Sequence, residues 1–172
     1  LIKIQTPTFG YIHLGDGLVL LCGVVLGPAT GAAAAGIGSM FSDLFSGYLS
    51  FAPATLVIKA LTAGAAGLLF HRLSPHMKSA RARNVCVIAG GLIGESIMIL
   101  GYFLYEAGMA AFASGGFQKA PLYAGLVSSA AGIPFNIVQG VTGIAISLLL
   151  MPVLMKISDV RNFILDYSSS SL

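Results

Sequence analysis

Charge is what this chain has least of. Only 9% of its residues are charged, against roughly one quarter in soluble domains. A water-soluble fold could not hide the apolar remainder, so the solvent around the chain is lipid. Cysteine is nearly missing too. Cys22 and Cys86 each sit in an apolar segment at a spacing that matches no metal pattern, and both read as reduced packing residues. The chain contains no GxxxxGK[ST], so it has no P-loop with which to bind ATP. It shows no Ser/His/Asp arrangement and no HExxH, which removes the common hydrolytic centres. No signal peptide is visible. There is no Ser/Gly linker to mark a second domain, so residues 1–172 read as one transmembrane unit.

What is present is apolar and continuous. Mean hydropathy is +0.91, and 56% of residues are hydrophobic. A spanning barrel would need alternating segments of roughly ten residues. The long runs of Ala, Gly and Leu predict helices instead, and the fold class is an all-α integral membrane protein. Five spans are expected, at about 17–31, 32–49, 54–72, 84–112 and 122–151, with a break near Pro134 and a stop at Pro152. The opening LIKI reads as the tail of a helix, which predicts a sixth span ahead of residue 1. The 156–172 tail is partly amphipathic, ends in serines, and is expected to fray.

Basic residues set the orientation. His71, Arg72, His76, Lys78, Arg81 and Arg83 crowd the 73–83 loop and its borders, and Lys156 and Arg161 follow the last span. Those regions are expected on the cytoplasmic side. The opening loop, the 48–53 turn and the 113–121 loop then share the outer face. The net charge of +3 is a topology signal, not a nucleic-acid patch, because no aromatic residues interleave it. Small residues recur at helical spacing, as at Gly23 and Gly27, Gly27 and Gly31, Ala32 and Gly36, and Gly90 and Gly94. They permit close helix approach inside the protein, or docking of another membrane protein along 27–38.

Ionisable groups inside a membrane are costly and point to function. Asp43, Lys59, Glu95 and Glu106 lie within apolar spans, and Asp16 sits at the edge of one. Glu95, Tyr102 and Glu106 form one stripe on a helix, beside Met98. Asn136 and Gln139 share a face one turn from Pro134. A purely structural account pairs Lys59 with Glu95 or Asp43 and lets the amides satisfy backbone loosened at Pro134. It leaves unexplained why these groups converge beneath the polar, aromatic stretch QTPTFGYIHLGD at residues 5–16. A concave site with Tyr and Phe walls and a few polar groups suits a small planar polar ligand. Metal binding by His13, Asp16 and Asp43 is a weaker reading. Catalysis by the Glu95/Glu106 pair with His13 is weaker still, since eleven residues of straight helix separate the two carboxylates by about 16 Å.

The segments PTFGYIHLGDG, LGPATGAAAAGIGSMFSDLFSGY, APATLVIKAL, GYFLYEA and IPFNIVQGVTG occur in that order between Thr6 and about Met151. Together they resemble the substrate-binding S components of energy-coupling factor (ECF) vitamin transporters, closest to the hydroxymethylpyrimidine and pyridoxine-type branch. Riboflavin and cobalamin carriers are neighbouring possibilities. The resemblance implies a six-helix protein of the prokaryotic cell membrane that captures a vitamin outside and releases it inside. It topples while docked on the transmembrane coupling protein EcfT, driven by two cytoplasmic ATPases that use ATP and magnesium. This chain would bind no cofactor and act as no enzyme.

Carried onto this chain, the resemblance makes Thr6, Pro7, Gly10 and Asp16 parts of a gating loop. Phe9, Tyr11 and His13 would meet the ligand from that loop. Lys59, Glu95, Tyr102, Glu106, Asn136 and Gln139 would line the wall. An autonomous ion-coupled carrier is the reading from another class. It would require internal repeats with matching broken helices, and only one break, at Pro134, is evident.

Overall fold

A short hairpin leads into a helical bundle in the computed structural model, which describes residues 3–5, 11–74 and 79–170. Strands β1 (Lys3–Gln5) and β2 (Tyr11–His13) pair antiparallel, with Ile4 opposite Ile12. The expectation that LIKI ends a helix is therefore corrected for residues 3–5. The helices are α1 (Asp16–Leu26), α2 (Pro28–Ser46), α3 (Ala52–Leu73), α4 (Ala80–Ala113), α5 (Lys119–Ser129), α6 (Ile133–Leu154) and α7 (Ser158–Ser170).

Three stretches are long and apolar enough to cross a membrane: α3, α4, and Lys119–Leu154, which holds α5 and α6. The chain is a membrane protein. Helix α1 is apolar but only 11 residues long. Helix α2 has 19 residues, diluted by Ser39, Ser42, Asp43 and Ser46. The bundle is built the opposite way to a soluble core. Leu18, Leu61, Leu92, Leu104, Val141 and Leu149 are each more than half exposed, while Ala63, Ala66, Gly90 and Gly94 face inward. Lipid solvates large aliphatic side chains as well as a protein interior does, so the inward positions are left to small residues that let backbones touch.

The last expected span is divided as Pro134 suggested. At 1.5 Å per residue the 36 residues of Lys119–Leu154 would run about 54 Å if straight, well beyond a hydrocarbon core of about 30 Å. A 3-10 turn at Ala130–Gly132 breaks them, and Pro134 falls in the first turn of α6, where its missing N–H costs nothing. Pro152 does not stop α6, which continues to Leu154.

The 156–172 tail is not frayed over its described length. Helix α7 packs on α1 and α3, and Ile164 is 1% exposed in a cluster with Phe70, Cys86 and Met151. Both cysteines are free thiols, Cys86 buried and Cys22 partly so. Buried His71 joins the same end of the bundle. Its Nε2 lies 2.9 Å from the Val24 carbonyl, and its ring centroid is 4.8 Å from that of Tyr167 on α7.

Gly27, between α1 and α2, has φ +82° and ψ 166°, a conformation that is essentially glycine-only. A methyl there would also lie 2.7 Å from the Tyr167 ring. Gly27→Ala is expected to cost about 1–3 kcal/mol, read as a lower unfolding midpoint of the detergent-purified protein. An unchanged midpoint would mean that α7 does not hold the break between α1 and α2.

Candidate functional site

Four helices bring polar groups to one level of the bundle, near the end that carries the hairpin. Asp16 opens α1 and is fully buried. Lys59, also fully buried, comes from the second turn of α3, and its Nζ donates to Asp16 Oδ1 at 2.5 Å. Gln139 on α6 donates from Nε2 to Asp16 Oδ2 at 2.7 Å. Both carboxylate oxygens of Asp16 are thus engaged, one by a cation and one by a neutral amide.

The lysine has a second neighbour. Its Nζ lies 5.3 Å from the centroid of the Tyr102 ring on α4, within cation–π range. The Tyr102 hydroxyl is 3.1 Å from Thr55 Oγ1, one turn before Lys59 on α3. Thr62, one turn after Lys59, bonds back to the Ile58 carbonyl at 2.8 Å. Thr55, Lys59 and Thr62 therefore make one polar stripe at i, i+4 and i+7.

Glu95 comes from the middle of α4 and is 3% exposed. Neither of its carboxylate oxygens meets an N–H or hydroxyl donor among the described residues; its neighbour is the Asp16 carboxyl group, close enough for the two to share a proton. It feels the charges of both Asp16 and Lys59. Gly140 and Gly143 on α6 make room for it. A methyl on Gly143 would lie 2.9 Å from Asp16 Cβ and 3.1 Å from Glu95 Oε1. One on Gly140 would lie 3.0 Å from Glu95 Cβ. Asn136, one turn earlier on α6, is 8% exposed and on the same face as Gly140 and Gly143.

The expected wall residues divide into two sets. Lys59, Glu95, Tyr102, Asn136 and Gln139 converge on α3, α4 and α6. Glu106 is buried, but it stands one turn beyond Tyr102 and about 16 Å along α4 from Glu95. Asp16 corrects two expectations. It is the first residue of α1 instead of a member of the loop, and it is Asp16, not Glu95 or Asp43, that forms the ion pair with Lys59. Thr6, Pro7, Phe9 and Gly10 lie outside the described residues, as do the side chains of Tyr11 and His13. The backbone of β2 does contact α6.

Thr55, Gly140 and Gly143 were not anticipated. The signal for Thr55 was its spacing of four residues from the lone intramembrane lysine. The glycines were legible only as one turn of α6 with no side chain, next to Gln139.

Small-residue contacts fall mainly inside the bundle. Gly23 meets Ala63 and Gly67, Gly36 meets Leu56 and Ala60, and Gly90 meets Ala66. Within 27–38, Gly31, Ala35 and Gly36 face inward, while Ala33, Ala34, Ile37 and Gly38 are exposed.

Residues 1–156 match the model of the family described as "ECF-type riboflavin transporter, S component". An "Uncharacterized protein in gap 3'region" of Pyrococcus woesei is 34% identical over 103 residues, covering 59% of this chain. The matched stretch spans 64% of that relative's length. No solved structure matches the chain.

Proposed function

The chain belongs to the ECF-type riboflavin transporter S-component family, and from that premise we propose that it is the vitamin-binding membrane subunit of an importer. The observation that carries the reading is the buried polar level at Asp16, Lys59, Glu95 and Gln139, with the partly buried Tyr102 beside Lys59, inside a bundle whose outer surface is lipid-facing. Two carboxylates, an ammonium and an amide are costly to keep in a membrane interior, and such groups point to function. The hairpin precedes Asp16 directly, and β2 contacts α6, which supports its role as the cover over that level. The stretch ahead of Asp16, Thr6 to Gly15, with Tyr11 and His13 facing the ligand, is the proposed gate.

In this reading the subunit has no catalysis of its own. It docks on the coupling protein EcfT, and two cytoplasmic ATPases supply the energy. The substrate is a small flat vitamin or vitamin precursor. The motifs favour hydroxymethylpyrimidine or a B6 vitamer, and the family's description favours riboflavin.

Titration calorimetry of the purified chain against a panel of B vitamins and precursors tests this directly. One compound is expected to bind tightly and to raise the unfolding temperature by mass action. Asn136→Ala is expected to weaken that compound roughly tenfold, the scale of one lost hydrogen bond of about 1.5 kcal/mol. A panel that binds nowhere would sink the proposal. Uptake by cells that express this chain without the ATPases would favour an autonomous carrier.

A further inference from the structure

Two acids and one ammonium meet at the polar level: Asp16, Glu95 and Lys59. Asp16 takes a donor on each oxygen, Lys59 Nζ at 2.5 Å on Oδ1 and Gln139 Nε2 at 2.7 Å on Oδ2. Glu95 is 3% exposed and meets no N–H or hydroxyl donor among the described residues. Its neighbour is the Asp16 carboxyl group. Packing imposes the closeness of the two acids. A methyl on Gly143 would lie 2.9 Å from Asp16 Cβ and 3.1 Å from Glu95 Oε1, and one on Gly140 would lie 3.3 Å from Glu95 Oε2. Both side chains therefore rest on the same bare backbone of α6. Among the described residues, the charged groups facing Glu95 are Asp16 from α1 and Lys59 from α3. Helix α6 brings the neutral amide of Gln139 and the glycine backbone. No group of three His, Cys, Asp or Glu side chains among the described residues could hold a metal ion, and the Lys59 ammonium already occupies Asp16 Oδ1.

We propose that the Asp16–Glu95 pair is a proton-binding site, which holds one proton in the ligand-free protein at neutral pH. With both acids ionised, two like charges would touch, and one of them would stay uncompensated in a membrane interior. One proton removes that charge, since Lys59 balances Asp16 and Glu95 becomes a neutral acid. The two acids are not equivalent. Asp16 lies against the ammonium and stays the anion. Each oxygen of a carboxylate has two lone-pair sites, so Asp16 has room for a third hydrogen bond. Glu95 has no donor to stabilise an anion, so it keeps the proton and donates it to Asp16. The proton thereby gives α4 a hydrogen bond to the residue that already joins α1, α3 and α6. Losing it turns that bond into a contact between like charges. The folded chain carries one proton more than the unfolded chain at neutral pH, so its stability falls as the pH rises.

The test uses the full ligand-free chain in lipid nanodiscs. Infrared spectra at neutral pH, wild type minus Glu95→Gln, are expected to show the C=O stretch of a protonated carboxylic acid above the amide I band. Asp16→Asn leaves one acid and one ammonium, which balance without a proton, so the same band should vanish there too. Glu95→Gln keeps a permanent donor toward Asp16 and should fold at least as well as the wild type. The wild-type unfolding midpoint should fall several degrees further than that of Glu95→Gln between about pH 6 and about pH 10. A difference spectrum without the acid band overturns the proposal. A band that persists in Asp16→Asn does so as well, because burial alone would then hold the proton on Glu95. Equal pH dependence of the wild type and Glu95→Gln is the third overturning result, and it stands even if Asp16→Asn fails to fold.

Discussion

Lys59→Met is expected to destabilise the protein by about 3–5 kcal/mol, the scale of breaking a buried ion pair by removing one partner. Methionine matches the length of the lysine stem, so the loss is one of charge and not of volume. In the native bundle Nζ lies 2.5 Å from Asp16 Oδ1, and both side chains are fully buried. Without the ammonium, Asp16 retains only neutral donors, Gln139 among them, and Glu95 lies beside it with no cation at all. Two acidic groups would then share a membrane interior.

Asp16→Asn in the same chain removes one of them. The double variant Lys59→Met/Asp16→Asn should therefore recover most of the lost stability, even though each single change is damaging. Thermal unfolding of the four proteins in one detergent forms a double-mutant cycle. Strictly additive losses would show that the two residues do not depend on each other, and the polar level would lose its centre.

The same cycle separates structure from ligand binding. The double variant should fold, because no buried charge is left unpaired within the Asp16–Lys59 pair. Its ligand affinity should still be altered, because Tyr102 loses the cation lying 5.3 Å from its ring. A folded double variant with wild-type affinity would place the ligand away from Lys59.

The parts of this molecule that could be read from sequence are those decided by local composition. Helices α3 and α4 were visible as uninterrupted apolar runs, with Pro53 at one start and a basic cluster at the turn between them. The division between α5 and α6 was visible as Pro134. Parts decided by contacts between elements were not visible. Asp16 lies between Gly15 and Gly17, so it read as loop, yet it starts a helix and is the acceptor for groups 43 and 123 residues away. The pairing of Lys59 with Asp16 in place of Glu95 or Asp43 depends on how α1 and α3 are rotated, and periodicity within one helix cannot report that. Helix α7 was hidden by its polar composition. Its order comes from Ile164 and Tyr167 packing on other helices. The hairpin offered two three-residue strands, too short for an alternation signal.

Helices α1 and α3 meet backbone to backbone at Gly23, and a side chain larger than hydrogen there should disturb the Asp16–Lys59 pair. A methyl on Gly23 would lie 2.0 Å from the Ala63 carbonyl oxygen and 3.0 Å from the Gly67 nitrogen. A methyl on Gly67 would in turn lie 2.4 Å from the Gly23 carbonyl oxygen. The obstruction is backbone on both sides, so no rotamer change relieves it. Gly23 is two turns from Asp16 along α1, about 10.5 Å, and on the same face. Ala63 is one turn from Lys59 along α3. Pushing the helices apart at Gly23 therefore pulls on the ion pair directly. Overpacking a soluble core costs about 1–3 kcal/mol because side chains can shift, and here they cannot. Gly23→Leu should cost more than Gly23→Ala, and both should lower the unfolding midpoint and weaken ligand binding together. Gly38→Leu is the matched control, since a methyl at Gly38 meets nothing within 4 Å. It should leave both readings near wild type. If Gly23→Leu lost ligand binding while keeping its stability, the crossing would tolerate the side chain, and the polar level would owe its geometry to some other contact.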